Sequence, residues 1–113
     1  MPSEIHSLIE RLQDATEPDR ELDAAIAEAV DWSRLMGNVA TFSDGLDRIP
    51  KFTSYPDYAV KLARAIDPDH VGALKWEDGE FYAVIDYQEP SKGNSPAIAL
   101  CIAALKHRLR LTE

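Results

Sequence analysis

HVGALKWEDGEFYAVIDYQEP, residues 70–90, decides how this chain folds. Asp78-Gly79 stands between two short runs of mostly apolar and aromatic residues, ALKW and FYAVI. A two-residue hairpin turn needs φ > 0 at both central positions, and Asp-Gly accepts that at least cost. The register that follows sets Trp76 opposite Phe81, Lys75 opposite Tyr82 and Leu74 opposite Ala83. One face then carries Leu74, Trp76, Phe81, Ala83, Ile85 and Tyr87. The other carries Val71, Ala73, Lys75, Tyr82, Val84 and Asp86. The first face is apolar and the second mixed, which predicts a sheet covered fully on one side and partly on the other. Glu77 and Glu80 oppose each other at the tip, a small repulsion in solvent. The tip lacks the twelve-residue spacing of a calcium loop and reads as a plain turn.

Downstream, QEPSKGNS (88–95) reads as a polar loop. Asn94 or Ser95 then caps a last helix with Pro96 at its first position. Ile98, Ile102, Leu105 and Leu109 form its buried stripe, and Ala97, Ala99, Ala103 and Ala104 allow close approach to a sheet. This predicts the central core helix. Its uncharged run, residues 96–105, is far short of the roughly twenty residues a bilayer demands. Cys101 and His107 lie six positions apart, about 240° around a helix, so they form no nucleophile pair. Cys101 reads as a core thiol. Lys106, His107, Arg108 and Arg110 occupy the last turns, where cations complement the helix dipole.

Upstream, residues 51–55 read as a short strand running into a helix capped by Ser54, with Pro56 and Asp57 in its first turn. Asp67-Pro68 ends that helix. Asp67, Asp69 and His70 could ligate a metal, but a helix-ending turn uses the same residues, and the turn is the expected reading. Residues 37–50 are punctuated by Gly, Asn, Ser, Asp and Pro, with Val39 to Phe42 a strand or a loop. At the N-terminus, Ser3 caps a helix bearing Ile5, Leu8, Ile9 and Leu12 at i, i+3, i+4, i+7. Thr16, Pro18 and Asp19 open a second helix with Leu22, Ala25, Ile26, Ala29 and Val30 inward. Together these two make an αα-hairpin. Residues 1–113 are thus expected to form one α+β domain: about three antiparallel strands packed with helices, with a helical hairpin first.

The 113 residues carry a net charge of −8. Nine acids against two arginines lie in residues 1–31, a net −7. Such a balance disfavours direct binding to nucleic acid or to anionic membrane. It leaves room for a basic protein partner, or for pairing between the acidic start and the basic end, within one molecule or across a homo-oligomer. One cysteine permits no internal disulfide. MPSEIHSLIERLQ has no basic-then-apolar leader pattern, and a cytoplasmic home is expected. No histidine stands in a metal-ligand spacing and no phosphate-binding glycine loop appears, so no cofactor, metal or catalytic residue is expected. The candidate contact patch is Lys75, Tyr82 and Asp86 on the mixed sheet face.

Three segments together carry a resemblance: IERLQDATEPDRELDAAIAEAV, SPAIALCIAALKHR, and PKFTSYPDYAVKLA where similar proteins have P-x-Y-T-x-S-x-D-A-A. The chain resembles the small phage and prophage proteins of the phage ABA sandwich family, over about half its length. It departs from their pattern with Phe52 in place of a tyrosine and Tyr58 in place of a small residue. The resemblance implies an α-β-α sandwich and a phage origin, in a host-cell cytoplasm. It carries no catalytic or binding residues. The expected function is a non-enzymatic accessory protein that binds a host or phage protein. Alternatives are an anti-defence inhibitor mimicking nucleic acid, a virion component, or a small ligand-binding or enzymatic domain using Tyr82, Lys75, Asp86 and His70.

Overall fold

The computed structural model describes residues 2–35 and 49–112. Among them the order is α1 (Pro2–Asp14), α2 (Arg20–Ala29), a single turn α3 (Trp32–Leu35), α4 (Pro56–Ile66), β1 (Gly72–Glu77), β2 (Glu80–Ile85), β3 (Ser91–Gly93) and α5 (Pro96–Thr112). The fold is α+β: a three-stranded antiparallel sheet, ordered β1-β2-β3, packed against helices, with α1 in contact with α2. No helix among the described residues is long and apolar enough to cross a membrane. The expected strand at Val39 to Phe42 lies outside the described residues.

The hairpin forms as its turn chemistry dictates. Asp78 and Gly79 have φ of 53° and 79°. Trp76 pairs with Phe81, Lys75 with Tyr82, Leu74 with Ala83 and Glu77 with Glu80. Ala83 and Ile85 are buried against α5, while the opposite face is exposed at Val71, Ala73 and Lys75 and half-buried at Tyr82 and Val84. The inner face is not fully covered as expected: on β1 Leu74 is half-buried and Trp76 exposed, and past Ile85 the alternation itself ends. Asp86 and Tyr87 turn left-handed, with φ of 52° and 63°, and Tyr87 leaves the apolar face for solvent.

The third strand is not residues 51–55 but Ser91–Gly93, inside the stretch expected to be a loop. It pairs with the far edge of β2, Gly93 against Phe81 and Ser91 against Ala83. A glycine is required at 93 because β3 runs against the backbone of α5: a Cβ there would stand 2.5 Å from Ala99 N and 2.8 Å from Ala99 Cα. Residues 51–55 make a turn instead, because their hydrogen bonds close elsewhere. Ser54 and Tyr55 N–H both reach Lys51 O, at 3.1 and 3.2 Å. Thr53 N–H and Oγ1 both donate to Asp23 Oδ1 at 2.8 Å.

That Asp23 is fully buried in α2, within the face that otherwise carries Leu22 and Ile26. Its other oxygen takes Arg20 at 2.8 Å, and Arg20 also donates to Ile49 O at 2.9 Å. The same clamp shifts the helix start. Thr53 Oγ1 accepts Asp19 N–H at 2.9 Å, and Asp19, not Thr16, caps α2 by accepting Glu21 N–H at 2.7 Å. Pro18 falls before the helix rather than in its first turn. Ser54 likewise is no cap. Tyr55 holds the cap position of α4 with no side-chain bond, and Pro56 starts the helix without a donor to satisfy. Ser3 lies within α1 rather than ahead of it.

α5 is capped as expected by Ser95, whose Oγ accepts Ile98 N–H at 3.1 Å. Every residue from 97 to 105 is buried. A helix enclosed on all sides needs no polar face, which is why the run is apolar throughout rather than striped. The sheet, α1 and α4 all pack against it. Cys101 is enclosed there, its thiol donating to Phe52 O at 3.3 Å. Burial, and then the charge of Asp23, pushes that thiol far up, leaving it unreactive.

Candidate functional site

Two groups of chemistry-bearing side chains stand out. The first lies on the outer face of the sheet. The hairpin register places Lys75 beside Tyr82, with Nζ 5.6 Å from the ring centroid. Glu80 precedes Tyr82 by two residues, so strand alternation puts both on this face. The Tyr82 hydroxyl donates to Glu80 Oε2, and Lys92 from β3 reaches Glu80 Oε1 at 3.1 Å. The Tyr82 bond first, then that of Lys92, holds the Glu80 carboxyl below the ordinary carboxylate range. The same bond to Glu80, with burial next, raises the Tyr82 hydroxyl above its usual value. The ring is therefore fixed by its hydroxyl, roofed by one cation, and half-buried. That suits a contact residue: a rigid aromatic with polar atoms around it.

Of the expected patch, the structure brings Lys75 and Tyr82 together and sets Asp86 apart. Its left-handed backbone turns Asp86 out of the strand's alternation. Oδ1 accepts Val71 N–H at 2.8 Å, and Oδ2 lies 3.6 Å from His107 Nε2. His70, the other candidate, turns its Nδ1 onto Asp67 O at 2.8 Å, as part of the turn that ends α4. The reading of Asp67, Asp69 and His70 as a helix-ending turn agrees with this geometry, for Asp67 Oδ1 also accepts Asp69 N–H at 3.1 Å.

The second group was illegible in the chain. His107, on α5, has only 6% of its side chain exposed, and its Nε2 meets Asp67 Oδ2 at 2.8 Å. Arg110 NH2 stands 2.8 Å from His107 Nδ1. A guanidinium only donates, so Nδ1 accepts, and the ring hydrogen sits on Nε2 and points at Asp67. The partners of His107 thus come from the end of α4 and the end of β2, not from the acidic first helices. The His107 bond first, then that of Asp69 N–H, holds the Asp67 carboxyl below its ordinary value. Nε2 of His107 and the carboxylates of Asp67 and Asp86 all lie within 4.8 Å of one another, a grouping that could hold a metal ion by distance alone. Ligation needs a lone pair on Nε2, and the Arg110 contact places a hydrogen there. As arranged, the group is a clamp tying the ends of α4, β2 and α5 together. No short-range spacing announces it: Asp67 and His107 are forty residues apart. Lys92 was missed because its strand reads as a loop; Glu80, read only as a residue of the turn, was missed too, although its i, i+2 relation to Tyr82 puts it on the same face.

A hollow of about 280 Å³ lies between α4 and β1, lined mostly by apolar residues including Pro56, Val60, Ala63, Gly72 and Leu74. Comparison with family models, with curated proteins and with solved structures finds no match.

Proposed function

We propose that this chain is a non-enzymatic protein-binding module, a phage or prophage accessory protein that engages a host or phage protein through the outer face of its sheet. The observation that carries this reading is Tyr82: it is held upright by Glu80, flanked by Lys75 and Lys92, and stands on a face with Val71, Ala73 and Lys75 exposed. The other reactive-looking groups support it by being engaged: the Cys101 thiol in the core, and His107 between Asp67 and Arg110. The phage setting rests on the sequence resemblance. A narrower reading, an anti-defence inhibitor that mimics nucleic acid, draws on the first helices: of the nine acids in residues 1–31, all but Asp23 are exposed.

Capture from host lysate on immobilised protein tests the reading, with a Lys75→Ala/Tyr82→Ala double variant beside the wild type. The wild type retains a defined protein at moderate salt, and the double variant, with an unchanged far-UV spectrum and melt, loses it. Retention of nothing, or of the same protein by both, contradicts the outer face as the contact surface. Loss of the captured protein to added salt and to competing DNA, with both variants alike, favours the acidic helices instead.

A further inference from the structure

Among the described residues β1 is an edge of the sheet. Asp86 N–H bonds Val71 O at 2.8 Å, so Val71 turns its backbone toward β2. By alternation Ala73, Lys75 and Glu77 do the same, and Gly72, Leu74 and Trp76 point their N–H and C=O outward. β1 has no proline and no bulge, its register with β2 runs unbroken from Gly72 to Glu77, and its charges, Lys75 and Glu77, stand on the outer face and pair with each other at 3.6 Å. Two features of the inner face then match each other. Trp76 is 70% exposed. Gly72, four residues earlier on the same face, has no side chain; the His70 ring lies 3.4 Å from where its Cβ would stand, and both border the hollow in front of α4, where Val60 is 39% exposed.

We propose that β1 is the seam of a homodimer, in which two copies join edge to edge across a two-fold axis through Leu74. Only outward-facing residues exchange hydrogen bonds across this seam. Leu74 therefore pairs with the partner's Leu74, and Trp76 with the partner's Gly72. Each tryptophan crosses a glycine, a favoured cross-strand combination, and lies against the partner's His70 ring at the rim of the apolar hollow. Two other symmetric registers centred on outward-facing residues fit worse. Centring on Trp76 sets tryptophan against tryptophan and Leu74 against the partner's Asp78. Centring on Gly72 leaves most of the edge bare. In the Leu74 register Lys75 faces Ala73 and Glu77 faces Val71, so no like charges stand directly opposite. The two Lys75 are diagonal neighbours, each with its own Glu77 at 3.6 Å. Two buried tryptophans and two hydrogen bonds for each of three residue pairs hold the seam. The joined sheet has six strands and sets two Lys75–Tyr82 patches side by side on one outer face. The dimer stands independently of what those patches bind.

Sedimentation equilibrium on the full chain tests this, with an expected mass twice 12.6 kDa. Trp76→Ala weakens association by on the order of thirtyfold or more, the loss of a central aromatic anchor, while its far-UV spectrum stays as in the wild type. Leu74→Cys reads the register. Across a hydrogen-bonded pair the Cα atoms lie about 5.5 Å apart, within disulfide reach, so mild oxidation gives a covalent dimer. Trp76→Cys, whose two copies would lie roughly 13 Å apart, gives none. Cys101 is buried and does not compete. A chain that stays monomeric at millimolar concentration overturns the proposal, even if its edge takes up an unrelated peptide. So does a dimer indifferent to Trp76→Ala and without the Leu74→Cys cross-link.

Discussion

Arg110 donates to His107 Nδ1 at 2.8 Å, and His107 donates from Nε2 to Asp67 at the same distance. The arginine thereby selects the imidazole tautomer and turns the histidine into a donor to a carboxylate on another element. Long-range proton–nitrogen NMR at neutral pH therefore finds Nε2 of His107 protonated and Nδ1 bare. In Arg110→Ala that preference weakens. A bare Nε2 in the wild-type protein contradicts the clamp and reopens the cluster to metal binding.

The clamp also sets a pH dependence. The folded Asp67 carboxyl titrates below its ordinary value of 3.8. A carboxyl depressed in the folded state contributes stability above its unfolded pKa and loses that contribution as pH falls through the folded pKa. Asp67→Asn is thus less stable than wild type at neutral pH, and the gap closes as pH drops below about 4. Chemical denaturation of both proteins across the acid range measures this. A gap that widens toward acid pH contradicts the assignment.

Gly93→Ala tests the third strand. The added methyl would sit 2.5 Å from Ala99 N, so β3 and α5 must separate. The expected loss is about 1–3 kcal/mol, the range for overpacking a tight contact. Hydrogen exchange should quicken at β3 and at its β2 partners before it does in β1. An alanine tolerated at full stability means that β3 does not lie against α5 as described.

Asp23→Ala removes the acceptor of Thr53 N–H and Oγ1 and leaves Arg20 without its buried partner. A loss of about 2–4 kcal/mol follows, because breaking a buried charged bond strands the groups that used it. Asp23→Asn keeps an acceptor and costs less. Denaturant melts order the three proteins. A neutral Asp23→Ala means that the turn at residues 51–55 is not held by α2.

What was legible in the chain was what local chemistry decides. Asp78-Gly79 settles the hairpin and its register because both residues of the turn are specified by adjacent positions. Ser95-Pro96 before an uncharged run places α5 for the same reason. The failures share one cause: bonds made far along the chain. Thr16 and Ser54 look like caps, but Thr53 and Asp23 draw the 51–55 turn onto α2 and move the helix start to Asp19. β3 has three residues and no alternation to read, and its place is set by the free edge of β2 and the absence of a side chain at Gly93. Lys75 and Tyr82 were legible as a pair because the hairpin brings them together. Asp86 was misplaced because alternation was extended one residue past the point where its φ turns positive. The role of His107 could not be read, since its two carboxylate partners are 21 and 40 residues away.

The proposed contact surface is the outer face of the sheet. Amine-reactive cross-linking of the captured complex, read by mass spectrometry, tests it most directly. Lys75 and Lys92 flank Tyr82 on that face, whereas Lys51 and Lys61 lie together beside Tyr55 and Tyr58. Links from the bound protein to Lys75 and Lys92 are the predicted result. Links confined to Lys51, Lys61 or Lys106 would contradict it.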